Sequence, residues 1–590
     1  MTILFLILFW ISTIGYMLCL KYKFNLKDEI LLGLSYIGIT LLIFAFGILN
    51  LLSLGSYLIF IVGIFLFFKM VKENASKVIS SIKKPNVNMI IVFILILYVT
   101  LAFYNSHLIH YDNFSHWGTL AKSILLNNSF PNFESTAIEF KAYQPGTACF
   151  IYYFARWFDF SEGIMIVAQN YLFVGLFSAI LAFVKGKYRI LFRILFILAF
   201  IYSFTFNILP FDLLVDSILS VVFIYIFCIF LLYYKNDILL FRLLLPCVLF
   251  LCLVKNCGFI LAFFVCLINL LIYIIRKNFF LGLKNSIKLG ISCLILLLIW
   301  SAHVKYGYGS LGLTSHHALT KDNILFHLEE LGMTNIIKFS KLYLAKFLSL
   351  KNNFSNIVIL IVNVILTLLI ISKKNKQDKK FYITILLFID LIYLLYYIAL
   401  FFMYICSLSL EELLRLACFD RYMLTVSLAL SILFIMCFIY KEYNNTNRGF
   451  VYIFSIMICS LLICSILFYK ERDFGLSNSF EVLLGNNNYN ETNSYLFDKY
   501  LQNKYINLNN NNPYYIYYPN YKPDSGYLYY LSRYKTNHGN ITIVKSVNNI
   551  KWYNDNSIII VLKEDKDIIK FAKDNSFCEK DKNVYIKCHN

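Results

Sequence analysis

Charge is what this chain is short of. Only 15% of its 590 residues are charged while 60% are hydrophobic, and the mean hydropathy is +0.69. So small a polar complement cannot cover the surface of a soluble fold, and that class is excluded. No Cys-x-x-Cys pair with zinc-site spacing occurs among the fifteen cysteines. Most of them, such as Cys228, Cys247, Cys252 and Cys293, sit inside apolar runs and read as small apolar residues. No internal or inverted half-repeat is visible, which counts against a transporter built from two related halves. Residues 1–20 lack a basic start and a small-residue cleavage site, so they read as a retained first helix, not a signal peptide.

What the chain does have is apolar runs long enough to span about 30 Å of hydrocarbon, recurring from end to end. Fourteen spans are expected, at approximately 2–20, 30–49, 51–68, 88–104, 161–184, 190–207, 213–234, 239–254, 258–275, 287–304, 355–372, 381–403, 420–440 and 450–469. The expected fold class is an all-α polytopic membrane protein of about 13–14 transmembrane helices with a small C-terminal α/β domain. Helices fill 1–104, 161–304 and 355–470. Between them lie a large loop, 105–160, and a second one, 305–354, and the tail 471–590 follows.

Lys and Arg set the expected orientation. Lys69, Lys72, Lys77, Lys83 and Lys84 face one acid, Glu73, in loop 69–84. Loop 185–193 holds Lys185, Lys187, Arg189 and Arg193, and loop 276–288 holds Arg276, Lys277, Lys284 and Lys288. Loop 373–380 holds five lysines against Asp378. Fourteen spans put all four loops on one side, the cytoplasm, which leaves 105–160, 305–354 and the tail extracytoplasmic. Basic loops against an anionic leaflet account for most of the net charge of +20 without any nucleic acid.

The second loop opens with Gly307-Tyr-Gly309 and contains His316-His317. Apolar residues at helical spacing over 324–348, beside Lys338, Lys341 and Lys346, predict a helix lying on the membrane surface. The tail turns abruptly to Asn, Tyr, Asp and Lys. Runs at Tyr514–Tyr518, Ile541–Val544 and Ser557–Leu562 predict strands, and 491–505 and 565–575 predict helices. Cys578 and Cys588, both in this outer segment, are a candidate disulfide.

The chemistry gathers in His110-Tyr-Asp-Asn-Phe-Ser-His-Trp117 and Tyr143-Gln-Pro-Gly146. Asp112, beside Tyr111, Phe114 and Trp117, is a carboxylate at the edge of a dry cavity, suited to act as a general base. It is equally a residue type that caps a helix. His110, Asp112 and His116 form His-x-Asp-x-x-x-His, which suits a divalent metal ion or plain hydrogen bonding. Tyr143-Gln-Pro-Gly146 is a turn by its own chemistry. Lys255 and Arg421 stand at outer span ends, where a cation must snorkel, pair or face a polar cavity, and a lipid phosphate would satisfy it. Asp420, Arg421 and Tyr422 follow Glu411, Glu412 and Arg415 closely.

Tyr111-Asp-Asn-Phe-Ser-His-Trp117, Tyr143-Gln-Pro-Gly-Thr147, Lys255-Asn-Cys-Gly258 and Asp420-Arg-Tyr422, in this order, resemble the GT-C-type polytopic glycosyltransferases. That group includes the protein O-mannosyltransferases and the lipid A aminoarabinose transferases. The resemblance covers about residues 85–470 and is nearest to a bacterial branch with an Asp-Glu-Phe-Ser-His-Trp-like first motif and a later Tyr-Pro-Pro-Gly. It implies a cell-membrane enzyme that moves a sugar from a polyprenyl-phosphate donor to an outer glycan, lipid or protein acceptor. Asp112 would be its base, and His116 and Trp117 would orient it or pack on the sugar. Tyr143, Lys255, Arg421 and Tyr422 would bind substrate. Asn113 replaces the second acid of the family motif and Gln144 the first Pro, which weakens a two-acid or metal-assisted mechanism. Two other readings stand beside this one. His316, His317 and Arg421 would suit a polymerase or ligase using pyrophosphate-linked glycans. A lipid-glycan flippase would need ionisable residues within its spans, where Asp390 is the exception and Asp212 and Asp216 lie near a boundary.

Overall fold

The computed structural model describes residues 2–205, 210–309, 321–350, 353–443 and 445–467, and in the tail 483–484, 489, 492–500, 513–519, 521, 526–550, 557–581 and 583–587. Helices stand at all fourteen expected span positions, but fewer qualify as spans. Among the described residues, eleven are long and apolar enough to cross a membrane. A twelfth is reached if Ala75–Lys83 and Val87–Phe103, bent by 77° against each other, count as one. Val87–Phe103 and, among the described residues, Arg189–Thr205 have 17 residues each, and the last expected span lies on the helix Arg448–Leu467.

The four basic loops are knitted together at one end of the bundle. Lys77 lies over the Tyr22 ring, and Lys27 Nζ donates to the Ala182 carbonyl. Arg193 donates to Asn88, and Tyr188 to the Asn445 carbonyl. Lys373 pairs with Glu442 at 2.7 Å, Lys441 with Asp378 at 2.7 Å and Arg276 with Asp237 at 2.5 Å.

Glu162–Phe183 is buried along its whole length, and Asp216–Tyr233 and Phe419–Glu442 are nearly so. Each carries ionisable groups in its first turn, at the end away from the basic loops: Glu162, Asp216, and Asp420 with Arg421. A carboxylate at a helix N-terminus is favoured by the helix dipole. A guanidinium there is opposed by it, so Arg421 must find acids.

The helix Lys321–Leu348 forms as its spacing predicts, broken at Gly332, whose φ is +60°. It is not a helix simply laid on a surface. Phe339 and Tyr343 are buried against Phe401, Tyr404 and Tyr397, and Tyr343 and Tyr397 each donate to the other's carbonyl at 2.8 and 3.0 Å. His316 and His317 lie outside the described residues.

In the tail, β1 (Tyr514–Tyr517), β2 (Ile541–Val544) and β3 (Ile558–Val561) fall where the branched runs predict. β4 (Phe577–Asp581) and β5 (Val584–Lys587) complete a sheet of order β2-β1-β3-β5-β4, parallel at β1 and antiparallel about β5. The helices Asn493–Tyr500 and Lys566–Asp574 are as expected, whereas Tyr527–Thr536 is an additional one. Cys578 is disulfide-bonded, and its expected partner, Cys588, lies outside the described residues.

The additional helix fastens the tail to loop 105–160. Lys122 Nζ donates to the Tyr534 and Lys535 carbonyls at 2.7 and 3.2 Å, and Arg533 to those of Thr136 and Ala137. Tyr527 donates to the Ile109 carbonyl, and the Phe114 ring packs between Tyr527 and Tyr534. Lys535, 8% exposed, pairs with Glu162 at 2.9 Å and Asp498 at 2.7 Å. Removing one partner of such a buried pair costs roughly 3–5 kcal/mol. Lys535→Met is therefore expected to undock the tail and open it to limited proteolysis, with the helical bundle intact. An unchanged cleavage pattern would rule out this role.

Candidate active site

Five segments far apart in sequence converge on one cavity of about 400 Å³ at the end opposite the basic loops. That volume falls within the usual range of small-molecule sites. Of the seven expected site residues, Asp112, His116, Tyr143, Lys255, Arg421 and Tyr422 line it, and Trp117 stands behind, stacked on Tyr143 at 5.4 Å.

Local sequence explains each placement. Asn113–Trp117 is a single π-helical turn, a form that often accompanies functional residues. Asp112 precedes it, and its backbone N–H donates to His110 Nδ1 at 3.0 Å. Tyr143-Gln-Pro turns the chain into the helix Gly146–Ala155. A Cβ on Gly146 would collide with the Leu253 carbonyl, so glycine alone lets this turn approach the end of Asp237–Val254. Lys255 is the first residue beyond that helix, and Gly258 likewise has no room for a Cβ against the Leu251 carbonyl. Leu416 and Cys418 both take the left-handed conformation, φ +52° and +57°, in the turn that launches Phe419–Glu442. Two non-glycine residues held there mark a turn its surroundings enforce, and it delivers Arg421 and Tyr422 to the cavity.

Charge in the site is balanced. Arg421 Nη1 donates to Asp112 Oδ2, and Lys255 Nζ donates to Asp216 Oδ1 at 2.9 Å. Arg421 Nε lies 3.8 Å from Asp216 Oδ2, a buried oxygen with no hydrogen bond. The Tyr422 ring lies 4.8 Å beneath Lys255 Nζ and 5.5 Å from the Arg421 guanidinium, so one aromatic face steadies both cations.

Burial by itself would raise the Asp112 carboxyl, but Arg421, His116 and His110 hold it well below the ordinary carboxylate range. Burial pushes the Asp212 carboxyl up to about 6. Burial lowers the His116 imidazole to about 3; Asp112 opposes that, while Arg421 and Lys255 reinforce it. His116 is therefore neutral at physiological pH. Its Nδ1 shares a 2.7 Å hydrogen bond with Ser115 Oγ, and its ring meets Tyr143 edge-on at 4.9 Å. An unfolded histidine titrates near 6.5. Between about 6.5 and 3 the unfolded chain thus binds the additional proton, and stability falls as pH falls, by about 1.4 kcal/mol per unit. His116→Gln is expected to remove that slope from melting temperatures recorded across this window. An unchanged profile would refute it.

Sequence reasoning missed the acids that complete the ring. Asp216, at a span boundary, holds Lys255 and faces Arg421. Asn113 donates to Asp212 Oδ1 and accepts from the Leu213 N–H, both at 2.9 Å. Its amide thus fastens the Asp112 turn to the stretch of chain carrying Asp212 and Asp216. Among the described residues no group of three His, Cys, Asp or Glu side chains is placed to hold a metal ion. His110, Asp112 and His116 turn to different partners, so their spacing does not become a metal site.

Ile260, Leu400, Met403 and Leu408 form an apolar wall of the same cavity. The cavity thus offers cations, a carboxylate and a greasy side together. Comparisons with protein-family models, curated proteins and solved structures find no match to this chain.

Proposed function

We propose that this chain is an integral-membrane glycosyltransferase that moves a sugar from a polyprenyl-phosphate donor to an acceptor on the extracytoplasmic side. The observation that carries the reading is the ring Asp112–Arg421–Asp216–Lys255, set in a cavity with an apolar wall. Two cations beside a greasy surface are the complement of a lipid phosphate. The clustering of the basic loops at the opposite end supports an outward-facing site. The disulfide at Cys578 agrees with an oxidising outer compartment.

In the proposed reaction the donor's lipid lies along the apolar wall and its phosphate meets Lys255 and Arg421. Arg421 is then shared among the phosphate, Asp112 and Asp216. Moving its Nε about 1 Å toward Asp216 Oδ2 makes a hydrogen bond there and loosens the hold on Asp112. The freed Asp112 takes the proton of an acceptor hydroxyl as that oxygen bonds to the anomeric carbon. The bond from that carbon to the phosphate oxygen breaks, its electron pair stays on polyprenyl phosphate, and the two cations stabilise the growing charge. Direct displacement inverts the anomeric configuration.

The flippase reading draws less support. Asp390 is hydrogen-bonded to Asn363 at 2.8 Å, and neither residue lines the cavity. The deciding experiment incubates purified protein with polyprenyl-monophosphate sugars and follows release of the lipid phosphate. Release is expected; none from a folded sample would refute the proposal and favour a pyrophosphate-linked donor.

A further inference from the structure

We infer that the acceptor is a saccharide, bound on an aromatic shelf that the loop and the tail build jointly from Tyr111, Phe140 and Tyr530. The inference rests on the transferase reading, because it names that reaction's second substrate. Tyr111 and Phe140 line the cavity beside Asp112. Phe140 is stacked on Tyr143 at 5.5 Å with their planes 10° apart. Tyr530, on the tail helix, stands 5.3 Å edge-on from Tyr111 and 6.4 Å from Phe140. All four rings are half-buried.

The rim of the shelf is charged. Glu139, with a side chain 34% exposed, stands 3.8 Å from Arg533, and Glu412 and Arg415 line the adjoining cavity. A sugar ring has an apolar C–H face and an edge of hydroxyls, so it needs a flat apolar support bordered by donors and acceptors. Rigid aromatic side chains with polar neighbours supply that pairing. A lipid acceptor would need a second greasy lane, but the apolar wall of the cavity is already required by the donor. The tail thereby gains a defined role, since Tyr530 reaches the shelf only because its helix is docked by Lys122, Arg533 and Lys535.

The test uses the full-length protein in lipid nanodiscs, without donor, on an array of neutral, acidic and amino oligosaccharides beside an array of Ser/Thr-rich peptides. Wild type is expected to retain a defined subset of the saccharides. Tyr530→Ala and Phe140→Ala should each weaken that binding about tenfold, whereas Tyr530→Phe, which keeps the ring, should restore it. Phe140→Ala leaves the docking contacts of Lys122, Arg533 and Lys535 in place and guards against simple undocking. Retention of peptides alone, no saccharide binding, or wild-type binding by both alanine variants would overturn the inference. Because donor is absent, these outcomes are independent of lipid-phosphate release, which tests the transferase reading.

Discussion

Asp112→Asn is expected to lower sugar transfer by about 10²–10⁴-fold while insertion and folding are preserved, the range typical for loss of a positioned general base. The substitution is nearly isosteric. An Asn oxygen can still accept from Arg421 Nη1, so the ring of contacts stays closed. What is lost is the negative charge that accepts the acceptor's proton. Donor binding should change far less than turnover, because the proposed phosphate site is Lys255 and Arg421 and not Asp112. The measurement is lipid-phosphate release under saturating donor, with melting temperature as the folding control. Turnover within about threefold of wild type would remove Asp112 from the chemistry.

Arg421 is the second critical position, and its two expected failures differ in kind. Arg421→Lys keeps a charge but has no planar fork to divide between Asp112 and Asp216. It should fold, raise the donor KM, and lower kcat by about 100-fold. Arg421→Ala instead leaves two buried carboxylates, Asp112 and Asp216, with Lys255 alone between them. Stability should drop by roughly 3–5 kcal/mol, the usual consequence of removing one partner from a buried pair. The pH dependence gives an independent check. With Arg421 present Asp112 stays ionised below the ordinary carboxylate range, so the acid limb of activity lies low. In Arg421→Lys that limb should move to higher pH, as Asp112 protonates more readily. An Arg421→Lys enzyme with wild-type KM, kcat and acid limb would show that the guanidinium is not shared in the way proposed.

Asp112, Lys255 and Arg421 are legible in the sequence because a charge next to a long apolar run needs a reason, and hydrocarbon supplies none. Asp216 is harder to see: an acid in the first turn of a helix is favoured there by the helix dipole alone. Only packing sets it against a lysine 39 residues later and an arginine 205 residues later. Asn113 reads as a missing acid, whereas its amide ties two segments of chain together, a job no single-residue reading reveals. The strands β2 and β3 announce themselves by branched residues and β1 by its run of tyrosines about Ile516. The helix Tyr527–Thr536 does not, because Tyr, Arg and Lys give it little apolar periodicity and its value lies in the surface it meets. Likewise the succession of helices is evident, because each lies on a long apolar run.

The bond from Lys122 to the Tyr534 carbonyl joins residues 412 apart. The chain is synthesised from its N-terminus, so the loop holding Asp112 exists long before the helix that completes its surroundings. During that interval Glu162 waits without Lys535, and Phe114 without Tyr527 and Tyr534. Nascent chains paused among their membrane helices thus carry every charged residue of the Asp112–Arg421–Asp216–Lys255 ring but lack the outer wall. Maturation is a late event, set by the moment at which the helix Tyr527–Thr536 leaves the ribosome and reaches the loop.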